Sequence, residues 1–412
     1  MSVASVASVV IVGAGQAGYQ VAASLRQEGF QGEVTLIGDE AGLPYQRPPL
    51  SKAYMLGKIG VTNLRFRPAE YYAEHRITLV NEAVSAIDRT NRRVSLASGA
   101  AIGYDHLVLA VGAHNRVLPV PGADLDGVFG LKTMVDADAL IPRLKDVRNV
   151  IVIGAGFIGL EFAAVASALG ASVHVLELGD RPMARAVSVE MSEAFRAAHE
   201  SWGVHLDFHQ GLTQIEGTDG KVTGVVTTDG RKLPADLVVF GIGVIPNIRL
   251  AAEAGLDIDN GIKVDANLLT QDPSISAIGD AAAFPSHLVD RYIRLESVQN
   301  AVDQARNVAA RIVGKPAPYS ALPWFWTDQR DLKLQIVGLH DGADATVVLG
   351  SAADKQMSVL CFRRNQLVAV ETLNRPGDHM AARRVLARAP LLTPQVASVE
   401  GFDFKAWELV NK

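Results

Sequence analysis

Two glycine-rich loops, one beginning at Gly13 and the other at Gly154, constrain the fold of this chain more than any other feature. Each follows an apolar, strand-like run and precedes a stretch compatible with a helix, as VVIVGAGQAG at 9–18 and VIVIGAGFIG at 150–159. A second strand-like run that ends in an acid follows each loop, EVTLIGD after the first and ASVHVLE after the second. Strand, G-x-G-x-x-G loop, helix and acid-terminated strand make up the dinucleotide-binding fingerprint. Because the fingerprint occurs twice, the sequence predicts two bound dinucleotides.

The glycines of each loop have separate physical roles. The first two allow a tight turn and let the backbone approach a pyrophosphate, and the third lets the helix pack closely on the strand. The free N–H groups at the start of the helix then face the phosphates. The predicted cradle residues are Gly13, Gly15 and Gly18 in the first copy, and Gly154, Gly156 and Gly159 in the second.

Composition and charge limit the class of protein. The 412 residues predict two to three domains of about 150 residues each, and the net charge of −5 argues against nucleic acid as the main partner. No positively charged segment precedes the first apolar run, and no apolar run approaches the roughly 20 residues of a membrane span, so neither a signal peptide nor a membrane helix is expected. The single cysteine, Cys361, excludes an internal disulfide and a C-x-x-C redox pair. We expect no metal site and a cytoplasmic location.

The order of the motifs predicts an α/β fold with two Rossmann-like domains and a smaller C-terminal α+β domain. The predicted first domain comprises residues 1–113 and 244–318, and the second comprises residues 114–243. In the C-terminal domain, residues 319–412, apolar residues alternate at 333–339 and 345–349, which predicts an antiparallel sheet. Val359-Leu360-Cys361-Phe362 is expected to be a core strand.

A short strand that ends in Gly279-Asp280 helps to assign the two nucleotides. Together with Val111-Gly112, it resembles the second and third signatures of two-dinucleotide flavoproteins, in which this aspartate binds the ribityl chain of the flavin. The resemblance implies FAD in the first domain, with Asp39 near the adenosine ribose, and a nicotinamide nucleotide in the second. A role for Asp280 as a helix N-cap is compatible with this assignment.

The acid that ends the second strand of the second copy, Glu177, discriminates between nicotinamide cofactors. Its carboxylate can accept hydrogen bonds from both ribose hydroxyls and would repel a 2′-phosphate. Arg181, next to Pro182, is the nearby base that argues for NADPH. The sequence therefore favours NADH.

A lysine and a glutamate are the candidate chemical pair. RPPLSK at 47–52 predicts a rigid turn that presents Lys52, because the prolines fix φ and cannot extend a helix. GLE at 159–161 places Glu161 in the first turn of the second nucleotide-binding helix, where an acid near a pyrophosphate needs a cationic partner. We predict a Lys52–Glu161 pair beside the isoalloxazine, in which the ammonium stabilises negative charge on reduced flavin and the carboxylate orients lysine and nicotinamide. The alternative is a solvated loop lysine and a glutamate that interacts with the helix dipole.

The motifs together resemble those of FAD-dependent ferredoxin reductases of the putidaredoxin reductase and biphenyl-dioxygenase reductase type, over nearly the whole chain. Besides the two glycine loops, they are RPPLSK (47–52), GLE (159–161), GIGVIPN (241–247), IGD (278–280), ESVQNA (296–301) and PWFWTDQ (323–329). The resemblance implies a glutathione-reductase-like fold and an enzyme that transfers hydride from NADH to FAD. Single electrons would then pass to a 2Fe–2S ferredoxin that serves a haem monooxygenase or a ring dioxygenase.

Site residues follow from the same resemblance. Relatives often have arginine in place of Lys132, which keeps the charge but not the bidentate fork, and proline in place of Gln299. The resemblance implies that Trp326 and Trp324 lie near the flavin and face the ferredoxin; the alternative is that both are ordinary core aromatics. The implied FAD contacts are Ala17, Asp39, Lys52, Val84, Lys132, Asp280 and Val298, and Gly243 joins the predicted NAD contacts.

The absence of cysteines near the flavin and the position of basic residues indicate how electrons leave the flavin and where the acceptor binds. Residues 1–360 contain no cysteine, so electrons must leave the flavin without a thiol relay. Ferredoxins of this type are acidic, and the predicted docking bases are Arg306 first, with Arg294 and Arg330 after it. A redox-sensing protein of the apoptosis-inducing-factor type and an NADH oxidase or diaphorase remain alternatives, and the sequence leaves a monomer or a weak homodimer open.

Overall fold

The structure is a computed structural model that describes residues 6–388 and 391–411. The N-terminal elements are β1 (Ser8–Val12), α1 (Gln16–Gln27), β2 (Glu33–Gly38), α2 (Val61–Leu64), α3 (Ala69–Glu74), β3 (Ile77–Asn81), β4 (Val84–Asp88), β5 (Arg93–Leu96), β6 (Ala101–Gly103), β7 (His106–Leu109), β8 (Ala113–Asn115) and β9 (Val128–Gly130). The central elements are α4 (Met134–Arg143), β10 (Asn149–Ile153), α5 (Phe157–Ala168), β11 (Ser172–Glu177), α6 (Val189–Ser201), β12 (Val204–Phe208), β13 (Leu212–Thr218), β14 (Lys221–Thr227), β15 (Lys232–Pro234), β16 (Leu237–Phe240), β17 (Val244–Pro246) and α7 (Arg249–Glu253). The C-terminal elements are β18 (Ile262–Lys263), β19 (Ile275–Ala277), a 3-10 helix (Gly279–Ala281), β20 (Ala282–Ser286), β21 (Arg291–Ile293), α8 (Val298–Ile312), β22 (Trp324–Gln329), β23 (Leu332–Gly338), β24 (Ala345–Ser351), β25 (Gln356–Arg363), β26 (Gln366–Leu373), α9 (Pro376–Leu386), α10 (Pro394–Ala397) and α11 (Phe404–Val410).

By their mutual contacts these elements form two compact units. The first unit comprises the chain up to Gln46, Val61–His114 and Ile245–Ala321, and the second comprises Arg47–Gly60, Asn115–Val244 and the chain from Leu322 onward. The turn at 47–60 therefore groups with the second unit, although the sequence analysis included it in the first domain. The predicted division into three domains stays a prediction.

The first unit is built on a parallel sheet with the strand order β19-β7-β1-β2-β3. Residues 9–12 of β1 are buried, as expected for a central strand covered on both faces. Helix α8 contributes a stripe of small buried residues, Ala301, Ala305, Val308 and Ala309, to the same core. Because the order of connection reverses on either side of β1, the carboxyl end of β1 lies at the switch point where open α/β sheets bind ligands.

The second unit contains an equivalent parallel sheet and an antiparallel one. The parallel sheet has the order β12-β11-β10-β16-β9, so the carboxyl end of β10 lies at its switch point. The antiparallel sheet has the order β22-β23-β26-β25-β24 and packs against α9. β23 and β24 cover the two alternating segments, and Cys361 is a buried residue of β25, so the predicted fold class is confirmed.

A buried carboxyl links the antiparallel sheet to the start of α6. Glu371 of β26 is fully buried and accepts hydrogen bonds from the backbone N–H of Ser188 at 2.8 Å and from its hydroxyl at 2.6 Å. Ser188 also caps α6 by accepting from the N–H of Met191. Burial raises the pKa of Glu371 to about 7, and the bonds from Ser188 only partly oppose that shift.

The stability of the protein should therefore fall between about pH 4.5 and pH 7 through this one group. The unfolded carboxyl releases its proton near its ordinary pKa, whereas the folded one holds it up to about 7, so the stabilisation is full below that window and is lost through it. We expect Glu371→Gln to remove about 3 kcal/mol of this pH dependence, since one pKa unit corresponds to about 1.4 kcal/mol. Urea unfolding at pH 5 and pH 8 measures it, with Glu193→Gln on the exposed side of α6 as control. Identical pH profiles for wild type and Glu371→Gln would contradict the assignment.

Candidate active site

The N-terminal glycine loop connects β1 to α1 and leaves open space at its centre. Gly13 has a φ of +106°, and a Cβ there would lie 2.2 Å from the carbonyl oxygen of Ala110. A Cβ at Gly18 would lie 1.8 Å from the carbonyl oxygen of Gly13, so only glycine permits this packing. A Cβ at Gly15 would meet nothing within 4 Å, and no side chain caps the start of α1. Free N–H groups beside open space suit a phosphate.

The loop between β10 and α5 repeats this geometry in the second unit. A Cβ at Gly154, whose φ is +95°, would lie 2.7 Å from the carbonyl oxygen of Gly241, and one at Gly159 would lie 2.1 Å from that of Gly154. At Gly156 the nearest atom to a Cβ would be 3.7 Å away, and α5 also begins without a side-chain cap. Each unit therefore carries one cradle with the shape that a pyrophosphate requires.

In the first unit the predicted flavin contact Ala17 lies beside Gly279, which directly precedes Asp280. The Cβ of Ala17, in the first turn of α1, lies 3.1 Å from the position that a Cβ on Gly279 would take, and the Cβ of Ala301 in α8 lies 3.9 Å from it. Asp280 follows Gly279 directly, and α8 begins at Val298. Two further predicted contacts are placed differently: Asp39 is exposed just beyond the end of β2, and Val84 is a buried residue of the small antiparallel sheet β4-β5-β6.

Asp280 is the middle residue of the 3-10 helix Gly279–Ala281. The N-cap of that helix is Ile278, and no side chain caps it, so a capping role for Asp280 is wrong. The carbonyl oxygen of Asp280 accepts a hydrogen bond from Nη1 of Arg294 at 3.0 Å. Gly279 has a φ of +71°, a left-handed conformation that favours glycine, and it lets the chain turn at the end of the strand.

Glu177 stabilises the second cradle through hydrogen bonds to its backbone. Its Oε2 accepts a hydrogen bond from the backbone N–H of Ala155 in the glycine loop at 2.6 Å, and its Oε1 accepts one from the N–H of Gly179 at 2.7 Å. A carboxylate has about four acceptor positions, so both oxygens keep capacity for the hydroxyls of a ribose. The sequence analysis predicted the ribose contact but not the bonds to the backbone, which depend on how the loop folds back on β11.

Arg181, which argued for NADPH in the sequence, has its guanidinium bonded to carbonyl oxygens. Nη1 donates to Val187 at 3.0 Å and to Ser188 at 3.3 Å, and Nη2 donates to Ala184 at 3.0 Å. These bonds organise the segment between β11 and α6. A guanidinium used in this way is a poor partner for a 2′-phosphate, which needs a bidentate fork that faces outward.

Two other arginines, which the sequence analysis did not single out, lie close to the predicted NAD contact Gly243. A Cβ at Gly243 would be 3.8 Å from Nε of Arg116 and 3.8 Å from Nη2 of Arg185, and both arginines are exposed. The backbone N–H of Arg116 also donates to the carbonyl oxygen of Gly243 at 3.0 Å. No motif indicates this arrangement, because Arg116 and Arg185 come from different segments of the second unit.

The structure brings Lys52 and Glu161 together inside the second unit. Nζ of Lys52 lies 2.7 Å from Oε2 of Glu161, and the side chains are 20% and 3% exposed. The same oxygen accepts a hydrogen bond from the hydroxyl of Ser51, and Oε1 accepts one from the hydroxyl of Thr327 at 2.5 Å. Nζ of Lys52 also donates to the carbonyl oxygen of Pro48 at 3.1 Å. This pairing contradicts the alternative, in which Lys52 is a solvated loop lysine and Glu161 interacts only with the helix dipole.

One detail of the predicted geometry is wrong. Glu161 lies in the second turn of α5, because the helix begins at Phe157, and its first turn has no acid. The conflict between an acid in the first turn and a pyrophosphate therefore does not arise. Lys132, a further predicted flavin contact, is half-buried in the same unit, and its carbonyl oxygen accepts a hydrogen bond from Nη1 of Arg47 at 3.0 Å.

Strand β22 presents different side chains on its two faces. Phe325 and Thr327 face α5, where the ring of Phe325 lies 4.4 Å from that of Phe157 and the hydroxyl of Thr327 reaches Glu161. On the opposite face the rings of Trp324 and Trp326 are 5.5 Å apart. The period of two in a strand explains the separation.

The two tryptophans have different surroundings. Arg383 lies over the ring of Trp324 at 5.1 Å, His379 meets it edge-on at 5.4 Å, and Trp324 packs against the core formed with α9. Trp324 therefore contributes to packing, and its predicted position near the flavin stays a prediction. Trp326 is half-buried beside it and keeps its predicted role as a proposal.

The predicted docking bases differ in how much of the guanidinium they expose. Arg306 on α8 is 62% exposed and lies 3.8 Å from Asp303. Arg294 is only 10% exposed, pairs with Glu296 at 2.7 Å and is bonded to Asp280, so it does not suit a docking surface. Arg330 stacks on Trp202 at 4.8 Å and bonds to α5 through Ala164 and Ser167, which gives it a packing role.

Within residues 6–388 and 391–411, no group of three His, Cys, Asp or Glu side chains is arranged to hold a metal ion. None of the helices in those residues has the length and apolarity of a membrane span.

Comparison with known proteins identifies the family. Residues 7–305 match the family described as pyridine nucleotide-disulphide oxidoreductase, and residues 324–407 match the reductase C-terminal family. Rhodocoxin reductase of Rhodococcus erythropolis is 52% identical over 399 residues, which cover 97% of this chain and 93% of that protein. The ferredoxin reductase for the CYP199A2 system from Rhodopseudomonas palustris has 49% identity and a TM-score of 0.95, over 98% of this chain and 100% of that one. The covalent putidaredoxin reductase–putidaredoxin complex matches with 38% identity and a TM-score of 0.95, over 98% of each chain.

The chain matches these relatives over almost its whole length, and it contains two glycine cradles, the Lys52–Glu161 pair and a C-terminal antiparallel sheet. The protein therefore belongs to the ferredoxin reductases of the pyridine nucleotide-disulphide oxidoreductase family.

Proposed function

We propose that this protein is an NADH-dependent, FAD-containing reductase of a 2Fe–2S ferredoxin that serves an oxygenase. One observation carries the choice of acceptor: the family is named for disulphide chemistry, yet this chain has a single cysteine, Cys361, buried in β25. Burial raises the pKa of the Cys361 thiol, which makes it unreactive. A dithiol relay needs two cysteines, so electrons pass directly to an external acceptor.

The relatives support an iron–sulfur acceptor. One matched structure is a complex of a reductase with putidaredoxin, and another is a ferredoxin reductase for a CYP system. Because the fold agrees at a TM-score of 0.95 with each, we extend the same class of partner to this chain. A haem monooxygenase or a ring dioxygenase then receives the electrons from the ferredoxin.

The two cradles fit the two cofactors. Bound FAD supplies a centre that takes two electrons from NADH as hydride and releases them singly. The loop at Gly13–Gly18 would hold the pyrophosphate of FAD, with Asp280 on the ribityl chain and Asp39 on the adenosine ribose. The loop at Gly154–Gly159 would hold that of NADH. Open space beside each uncapped helix start is the observation that supports both assignments.

We also propose that the second cradle prefers NADH to NADPH. Glu177 keeps a carboxylate at the end of β11, where it would meet the ribose hydroxyls and repel a 2′-phosphate. The guanidinium of Arg181 donates to three backbone carbonyls, so those N–H groups are not offered to a 2′-phosphate.

We assign the chemical roles to Lys52 and Glu161. The ammonium of Lys52 stabilises negative charge on reduced flavin, and the carboxylate of Glu161 holds that ammonium in place. Trp326, on the face of β22 away from Glu161, is proposed to lie toward the ferredoxin.

A cytoplasmic location and a monomer or weak homodimer stay predictions from the sequence.

The test is NADH oxidation by the purified flavoprotein, with and without a 2Fe–2S ferredoxin from the same source. We expect strong acceleration by ferredoxin and poor activity with NADPH. Fast oxidation of NADH in air without ferredoxin would instead identify an oxidase or diaphorase. Little turnover with a lasting complex of reduced flavin and NAD would identify a redox sensor.

Arg306 is the proposed docking base. For Arg306→Glu we expect the KM for ferredoxin to rise about tenfold at low ionic strength, with NADH kinetics unchanged, because exposed charge pairs steer association and are screened by salt. Steady-state kinetics at two salt concentrations measure the effect, and Arg249→Glu, on an exposed face of the same unit, is the control. An equal KM for both variants would place the docking surface elsewhere.

A further inference from the structure

The carboxylate of Glu161 has different partners on its two oxygens. Oε2 receives the ammonium of Lys52 at 2.7 Å and the hydroxyl of Ser51, both from the turn at 47–60. Oε1 receives the hydroxyl of Thr327 on β22 at 2.5 Å. An α-helix, a turn and a strand that are distant in sequence therefore meet at one buried carboxylate.

The proton of the Thr327 hydroxyl has a direction set by its neighbours. Nε2 of Gln329 lies 3.4 Å from Oγ1 of Thr327 and can only donate to it. Oε1 of Gln329 lies 2.7 Å from Nε2 of His199 and, as an amide oxygen, accepts from the imidazole tautomer that carries its proton on Nε2. Burial lowers the pKa of His199 to about 4, so the imidazole is neutral near pH 7. Thr327 thus accepts from Gln329 and donates to Glu161.

Burial and strand pairing hold Thr327 in this position. It is fully buried, and its backbone pairs with Leu334 in the antiparallel sheet. Phe325, on the same face of β22, packs against Phe157 at the start of α5. The hydroxyl is therefore held at a fixed distance from the helix that carries Glu161.

We propose that Thr327 is a positioning residue for the reaction. Its hydroxyl binds Oε1 of Glu161 and thereby orients Oε2 toward the ammonium of Lys52. The inference rests on the proposed function, in which the Lys52–Glu161 pair acts on the flavin. Without the hydroxyl, Oε1 loses the donor that the structure gives it, and the carboxylate can rotate toward the donors of Ser51 and Lys52. In a rotated carboxylate either oxygen could pair with Lys52, so the ammonium would no longer be held in one place.

The test compares variants of Thr327 in the FAD-containing protein. Thr327→Val keeps the branched shape that suits a strand but removes the hydroxyl, and Thr327→Ser keeps the hydroxyl. We expect the limiting rate of flavin reduction by NADH to fall about tenfold in Thr327→Val, with the Kd for NADH within about twofold of wild type. Thr327→Ser should be close to wild type in both.

A spectroscopic measurement separates positioning from general damage. A hydrogen bond to a carboxylate changes its infrared stretching frequency, and the band of Glu161 can be recognised by its loss in Glu161→Gln. We expect this band to shift in Thr327→Val and to stay in place in Thr327→Ser. Thr372→Val is the matched control, since Thr372 is a fully buried threonine of the same sheet that bonds to the carbonyl oxygen of Gln335 at 3.1 Å instead. It should leave both band and rate unchanged.

The outcomes distinguish this inference from the proposed function. If Glu161→Ala is slow but Thr327→Val reduces flavin at the wild-type rate, the positioning role alone is wrong. The same conclusion follows if Thr327→Ser is as slow as Thr327→Val, or if Thr327→Val slows flavin reduction further in a Glu161→Gln background. If Thr327→Val does not fold, Thr327→Ala replaces it with the same expected rate and band shift. A normal rate in Glu161→Ala would instead refute the role of the pair in the proposed function.

Discussion

Replacing Glu161 by alanine should slow the reduction of bound FAD by NADH about hundredfold while FAD stays bound. The change removes the carboxylate that lies 2.7 Å from Nζ of Lys52 and leaves that ammonium with the carbonyl oxygen of Pro48 at 3.1 Å. A charge that is already in position before the reaction stabilises the transition state far more than one that must first be reorganised, so we expect a large effect. Stopped-flow reduction at several NADH concentrations separates the limiting rate from the Kd.

The controls must distinguish lost chemistry from lost stability. Removing one partner of a buried ion pair costs about 3–5 kcal/mol, but Lys52 keeps 20% exposure, so water can partly replace the carboxylate. FAD content and the midpoint of thermal unfolding should be measured for each variant. Glu193→Ala, on the exposed side of α6, is the matched control and should reduce flavin normally.

A double-mutant cycle tests whether the two residues act as a unit. If they do, Lys52→Met and Glu161→Ala together should be no slower than the slower single variant. Independent, additive losses would mean that each residue acts separately. An undiminished rate in Glu161→Ala with FAD retained would remove the pair from the reaction altogether.

The sequence predicted the elements that depend on local pattern. Apolar runs and glycine spacing predicted β1, β10 and the presence of α1 and α5, and alternation predicted β23 and β24, because these signals arise from burial and backbone geometry over a few residues. The motif order also led to the Lys52–Glu161 pair. What it missed is tertiary: the hydroxyls of Ser51 and Thr327 reach Glu161 across sequence separations of 110 and 166 residues.

The partners of long polar side chains could not be predicted from the sequence. Arg181, Arg294 and Arg330 each looked like an available charge, yet backbone carbonyls, an acid or an aromatic ring take up their guanidinium groups. An arginine has five N–H donors and a long stem, so its partners depend on which carbonyls and rings the fold brings near it. The register of a motif within a helix is similarly uncertain, and Glu161 lies one turn later than predicted.

The second large effect concerns the choice of nicotinamide cofactor. The double variant Glu177→Gln/Leu178→Arg should raise kcat/KM for NADPH about hundredfold and lower it for NADH about tenfold. Glutamine removes the charge that repels a 2′-phosphate but keeps an acceptor for the backbone of the loop. Leu178 is 75% exposed, so an arginine there can reach a phosphate without disturbing the core.

Three single variants, two at Glu177 and one at Leu178, separate the effect of the Glu177 charge from that of its hydrogen bonds to the loop. Glu177→Ala loses the acceptor for the N–H groups of Ala155 and Gly179, so it should weaken the binding of both nucleotides, because the cradle itself loosens. Glu177→Gln should raise the use of NADPH only about tenfold, since no cation replaces the lost repulsion. Leu178→Arg keeps the carboxylate and should leave NADPH poor.

Steady-state kcat/KM for both nucleotides, together with the Kd for NAD⁺, measures the whole set. None of these substitutions removes the carbonyl oxygens of Ala184, Val187 and Ser188 that bind the guanidinium of Arg181, so we expect Arg181 to keep those partners rather than bind a 2′-phosphate. If the double variant kept the NADH preference of the wild type, the discrimination would lie outside Glu177. If Glu177→Ala bound NAD⁺ as tightly as wild type, the two backbone hydrogen bonds would have no part in shaping the cradle.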